Sequence, residues 1–376
     1  MRMPRLRTTG GVTAIPITGL LVFALAVQLG VNRPAAAASI VATISFGTSR
    51  AGVIVANPAT GRVYAAQEDV PAIAVIEGTS IVATVPTLGY HTGIDVDPLA
   101  NRIYVAQQFA RSVRVIDGTT NIVVTDCAVS GAPINGVAVN SATKRLYVPR
   151  KDTDDVAVLD ATTCERLAIV RLRGGAPIGV AVNSTTNRIY VATIIGGGIT
   201  VIDGADNSTT AVTASIIPGV PQVNAVTNRI FVPDHNSNSV SVIDGATNTV
   251  VRMLVRGNGN FVCVDTMRNR LAITEDSRTA AIMDATTFEA ISTVTMEPEL
   301  NVCTFVPGTG MLYVTNDGGG QVTVVEEPNP TSTPTSTVPT VDQDGPTAPR
   351  DALHDGAPDE AVLVANLGSD LHVSRA

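Results

Sequence analysis

The chain has 376 residues, 45% of them hydrophobic and 15% charged, which excludes an intrinsically disordered protein. Lys and Arg number 25 against 33 Asp and Glu, a net charge of −8, so nothing electrostatic favours DNA or an anionic membrane surface. Aromatics are 3% and Trp is absent, which argues against base-stacking platforms, and no nucleic-acid partner is expected.

Residues 1–38 read as a secretory signal peptide. Arg2, Arg5 and Arg7 give a positive start, residues 11–31 carry no charge, and Pro34 precedes four alanines. Cleavage is expected before Ser39. The alternative is an uncleaved anchor, since the apolar stretch is long enough to span a bilayer. Removing this segment takes away four arginines and no acid, which brings the net charge to −12. No later apolar run is long enough to span, so the mature chain is expected to be exported and soluble.

The rest of the chain is dominated by self-similarity. Strands led by Arg62, Arg102, Arg145, Arg188, Arg229 and Arg270, with a seventh copy at Met311, recur at spacings of 40, 43, 43, 41, 41 and 41 residues. A second landmark keeps phase with them: Ile116-Asp117-Gly118, Leu159-Asp160-Ala161, Ile202-Asp203-Gly204, Ile243-Asp244-Gly245 and their relatives. Each unit holds four short Val/Ile-rich runs; in the third they are 137–140, 145–148, 156–159 and 167–172. Four strands in ~40–45 residues is the period of a propeller blade, and no helical periodicity offers a solenoid instead. The expected fold is all-β, a seven-bladed β-propeller over residues 39–327. Its strands are named A to D from the axis outward.

The seventh unit stops after strand C. Ile40-Val41-Ala42-Thr43-Ile44 matches strand D of the first unit, Ile81-Val82-Ala83-Thr84-Val85, until the last residue. The N-terminal strand should therefore complete the seventh blade and close the ring. Tyr313-Val314-Thr315-Asn316 and units such as Asn101-Arg102-Ile103-Tyr104-Val105 resemble the YVTN β-propeller repeats of surface-layer and YncE-like exported proteins. The resemblance covers 39–327. It implies the fold and export but no catalytic set, because members share the repeat rather than an activity. Ala272, where the other units have an aromatic, suggests looser packing in blade 6.

Residues 328–350 are rich in Pro, Ser and Thr and read as an extended linker. Residues 351–376 form a tail whose apolar patch, 361–367, is too small to bury a core, and it is expected to be disordered.

The repeated strand-C Asp reads as a turn cap, and the repeated Arg as a strut reaching a neighbouring carbonyl or acid. Strand order puts the D–A and B–C loops on one face. These loops vary most between units, so the ligand face is placed there, on Tyr90, His91, Arg111, Lys151, Asp152, Asp154, Asp155, His235, Asn236, Glu275 and Asn316. No catalytic set converges. Two distant histidines do not make a zinc site. Asp152, Asp154 and Asp155 lack the glycine and distal Glu of a calcium loop. No Cys-x-x-Cys-His or Gly-x-Ser-x-Gly motif occurs. No cofactor and no resident metal is expected.

Four cysteines in an exported chain permit disulfides. Cys263 and Cys303 fall on innermost strands of adjacent blades, one register apart, and are expected to bond. Cys127 and Cys164 align six positions apart, or ~20 Å along strand D, and no bond is expected between them. The functional expectation is a monomeric, non-catalytic scaffold for an unidentified cell-envelope or extracellular ligand. The alternative is a metal-assisted enzyme of lactonase or lyase type, with a quinone-dependent propeller as a third option.

Overall fold

The computed structural model describes residues 37–130, 136–196, 198–214, 217–255 and 261–327. The expected signal peptide (but for Ala37 and Ala38), the linker and the tail lie outside the described residues. Seven four-stranded antiparallel sheets make a seven-bladed β-propeller. Among the described residues the one helical element is a single turn, Lys151–Thr153. Blade 2 is typical, with strands A to D at His91–Asp97, Arg102–Gln107, Ser112–Asp117 and Ile122–Ala128. Strands B and C are buried almost throughout because neighbouring blades cover both their faces. That explains their continuous apolar runs, whereas strand D is mostly exposed.

The ring closes as the sequence implies. Ser39–Ser45 pairs antiparallel with Gln321–Glu326 and supplies the outermost strand of blade 7.

The repeated side chains tie each blade to the next. Arg62 Nη1 donates to Gly118 O at 2.9 Å and Arg145 Nη1 to Gly204 O at 2.6 Å. Tyr104 and Tyr313 hydroxyls donate to Ala161 O and Gly78 O at 3.2 and 2.8 Å. Every acceptor is in the C–D turn of the following blade. The strand-C Asp shapes that turn: Asp117 Oδ1 accepts the N–H groups of Thr119 and Thr120, and Asp160 those of Thr162 and Thr163. On the A–B face an asparagine relay runs the same way round. Asn57, Asn140, Asn183 and Asn224 at the ends of strands A donate to Asn101, Asn187, Asn228 and Asn269 of the next blade.

Both disulfides cross between blades. Cys263 and Cys303 bond with Cα atoms 5.8 Å apart. Ala272 lies directly opposite Cys263 in the ladder and is fully buried. The blade that lacks the aromatic strut is thus cross-linked to its neighbour at that level. Cys127 and Cys164 are also bonded, with Cα atoms 5.0 Å apart, which corrects the expectation of no bond. The ~20 Å separation treated the two outer strands as parallel rulers. Adjacent strands rotate by roughly 20–25°, so three pairings swing strand D far from the axis direction. Its end then meets the C–D turn of the next blade, where Cys164 sits at φ 64°. The equivalent place between blades 5 and 6 is filled by Leu254 and Phe288, packed in one core cluster.

Candidate functional site

Strand A of every blade runs along the axis: Ala51–Ala56, His91–Asp97, Ala138–Asn140, Gly175–Asn183, Gln222–Asn224, Val262–Asp265 and Leu300–Val306. Together they wall a cavity of about 510 Å³, with residues of all seven blades lining it. That size suits a small molecule. Strand A has one ladder edge with no partner strand, and its N–H groups need acceptors. Two side chains supply them from the preceding blade. Asp95 Oδ2 accepts Val139 N–H at 2.8 Å, and Thr304 Oγ1 accepts Ala56 N–H at 3.2 Å. Blades 2 and 3 also touch backbone to backbone, since a Cβ on Gly93 would lie 2.6 Å from Gly136 Cα.

Two titratable groups on strand A of blade 2 have displaced pKa values. His91 is 2% exposed and within 2.6 Å of Thr87 Oγ1 through Nε2. Burial, helped by the Arg114 guanidinium, lowers it to about 4, so the imidazole is neutral at physiological pH. Its Nδ1 has no hydrogen-bond partner among the described residues. Asp95 is raised to about 6 by burial, aided by nearby Asp97, although the Val139 and Val96 N–H groups donate to it.

The two shifts act on stability with opposite sign. The folded pKa of Asp95 lies above its unfolded value, so its cost is full above about pH 6 and is relieved as pH falls towards 3.8. His91 binds its proton less tightly when folded, so stability is lost as pH falls from 6.5 towards about 4. Between those limits the two offset each other. Asp95→Thr, which keeps an acceptor as Thr304 does, is expected to stabilise the fold at neutral pH by up to about 3 kcal/mol. It should also uncover the His91 slope. Melts of both chains at about pH 7 and about pH 4.5 check this. A variant less stable than the parent at neutral pH, or flat between the two, would refute it.

The structure sorts the residues placed on the ligand face. Tyr90, His91 and His235 line the cavity. Tyr90 packs against Phe109 with ring centroids 6.3 Å apart, and His235 against Phe261 at the same separation. The two histidines come from blades 2 and 5 and share one cavity wall. Arg111, Lys151, Asp152, Asp154, Asn236 and Glu275 sit in the B–C loops away from that wall. Asp154 is used locally, its Oδ1 accepting Ala176 N–H at 2.8 Å. Asp155 and Asn316 are buried within the fold. Asp155 is 1% exposed and forms a bidentate pair with Arg150 at 2.6 and 2.7 Å. Asn316 is fully buried and donates to Glu297 O at 2.7 Å. Both belong to a recurring latch, in which the last residue of strand B holds the preceding D–A loop. Gln107 does the same for Leu88 N–H, and Arg150 for Ser130 O. The Asp154 and Asp155 carboxylates therefore serve separate partners.

Sequence reasoning passed over Asp95 and gave no special role to Glu68, both on the cavity wall. Burial raises the Glu68 pKa against the opposing pull of Arg50, 3.2 Å away. The signal for Asp95 was present. At its ladder position the other units carry Val55, Ala138, Ala181, Gln222, Cys263 and Thr304, none charged.

No protein-family profile matches the chain, and no curated protein matches it in sequence. Among solved structures, a chain of Kuenenia stuttgartiensis hydrazine synthase is similar in fold, with a TM-score of 0.63 and 15% identity. The match covers 73% of this chain and 94% of that one. At that identity the likeness is one of architecture.

Proposed function

We propose that this chain is an exported, non-catalytic β-propeller of the YVTN-repeat type that binds a ligand at the D–A/B–C face and seats it in the axial channel. The observation that carries the reading is the axial cavity of about 510 Å³, to which every blade contributes. Its wall mixes aliphatic side chains with polar groups, among them Asp95 and Thr304, which are held by blade-to-blade contacts. That is the usual make-up of a small-molecule site. The signal-like segment and the repeat type support export.

The test is a thermal-shift screen of chemically diverse small molecules on the mature chain and on Asn301→Trp, which fills the channel. Asn301→Trp should melt like the parent without ligand. Stabilisation of the parent alone is expected; equal stabilisation of both would place binding elsewhere and refute the channel. A second reading, a metal-assisted enzyme, would need a metal held by fewer protein groups than usual, since among the described residues no three His, Cys, Asp or Glu side chains are placed to bind one together. Elemental analysis before and after a chelator separates the two, because a stoichiometric metal would favour the enzyme.

A further inference from the structure

The channel wall is chemically one-sided. Glu68 and Asp95 bring carboxylates, and His91 and His235 bring imidazoles; among the described residues no Lys or Arg lines it. The fold does not require a charge at Asp95. Six other units do without one, and Thr304 shows that a hydroxyl caps the neighbouring strand equally well. A carboxylate kept where it costs stability and lines a cavity is the pattern of a working group.

His91 stands four residues before Asp95 on the same strand, and a bulge between His91 and Gly93 leaves three ladder steps between them, about 10 Å. The buried Nδ1 of His91 has no partner among the described residues, and it is an acceptor in the tautomer that donates from Nε2 to Thr87 Oγ1. Glu68 lies at the same mouth, paired with Arg50 at 3.2 Å, and with Asp69 and Asp317 around that one guanidinium the cluster keeps a net negative charge. Between the two ends the wall is Val53, Ile94, Val137 and Val180, with Gly93 closed against Gly136 of the next blade. The site thus has two electron-rich ends and an apolar middle.

We propose that the channel binds an elongated aliphatic amine, one ammonium seated on Asp95 and the other nitrogen at the mouth on His91 Nδ1 and Glu68, with the alkyl chain between them. The proposal rests on the reading of the channel as the binding site and names its ligand class. An ammonium entering this wall meets opposite charge and acceptors, whereas a carboxylate meets like charge in a poorly solvated space. The aliphatic wall rewards burial of methylenes.

The experiment is isothermal titration of the full chain with diaminooctane, octylamine, suberate and octanediol, four molecules of one length and different ends. Diaminooctane should bind at least tenfold more tightly than octylamine, and suberate and octanediol should give no heat. Asp95→Thr should bring diaminooctane to the affinity of octylamine while the variant stays folded by its melt. Asn301→Trp should abolish binding of both amines. Suberate or octanediol binding as tightly as diaminooctane, and lost in Asn301→Trp, would overturn the amine class and leave the channel as a site. Diaminooctane binding unchanged in Asp95→Thr would overturn the seat assigned here. No binding by any probe would overturn the proposal, and the screen on the parent and Asn301→Trp would then decide separately whether the channel binds something else.

Discussion

A chain that begins at residue 51 is expected not to fold. It lacks the strand Ser39–Ser45, whose partner strand in blade 7 holds Val322, Val324 and Val325, all fully buried. Without that cover, strand C of blade 7 becomes an exposed apolar edge, a template for aggregation. Ile44 packs in the cluster that joins blade 7 to blade 1, with Val63, Tyr313 and Val322. Losing one apolar side chain from such a site costs roughly 2–5 kcal/mol, and the strand's hydrogen bonds add to that. The sum approaches the whole stability of an ordinary domain, about 5–15 kcal/mol. Scanning calorimetry and light scattering would register the loss. A synthetic peptide of residues 39–45 added in trans should restore a cooperative transition. Ile44→Asp is a milder variant and should lower the melting temperature without removing the strand. A soluble truncated chain melting at the parental temperature would defeat the argument.

Reducing both disulfides is expected to have the next largest effect. They close chain segments of 37 and 40 residues. Loop-closure entropy makes each worth about 4 kcal/mol. They lie in different parts of the ring, blades 2–3 and 6–7, so their contributions should add. For a domain of this size the melting temperature should fall by roughly 13 °C. Calorimetry with and without reductant measures it, and a non-reducing peptide map checks the pairing. Free thiols at Cys127 and Cys164 in that map would overturn the assignment. Blades 5 and 6 suggest a rescue. Cys127→Leu with Cys164→Phe copies the Leu254–Phe288 contact and should regain part of the loss under reducing conditions.

These expectations show what a repeat makes readable. Strand positions, blade number and ring closure follow from landmarks that return at a fixed period, because each blade must present the same faces to its neighbours. The roles of the strand-C Asp and the strand-B Arg were legible for the same reason, as a residue in every unit serves the unit. The 127–164 disulfide was not legible. It depends on accumulated sheet twist, which a one-dimensional register does not contain. Asn316, Asp155 and the rest of the B–C loops looked like ligand groups because they are polar and variable. Yet the last residue of strand B varies while keeping one task, holding a loop with Gln107, Arg150 or Asn316. Asp95 is the reverse case, a lone charge in an otherwise neutral column, visible only when units are compared position by position.

The asparagine relay bears on how such a ring is inherited. Donor and acceptor occupy different places in one unit, and both contacts point the same way round. Blade 4 receives through Asn187 and gives through Asn183; blade 5 receives through Asn228 and gives through Asn224. A tandem copy of either would fit on both sides without a new contact having to arise. A gene built from such units can gain or shed one in a single recombination event and still encode matching joints, so blade number becomes a heritable variable.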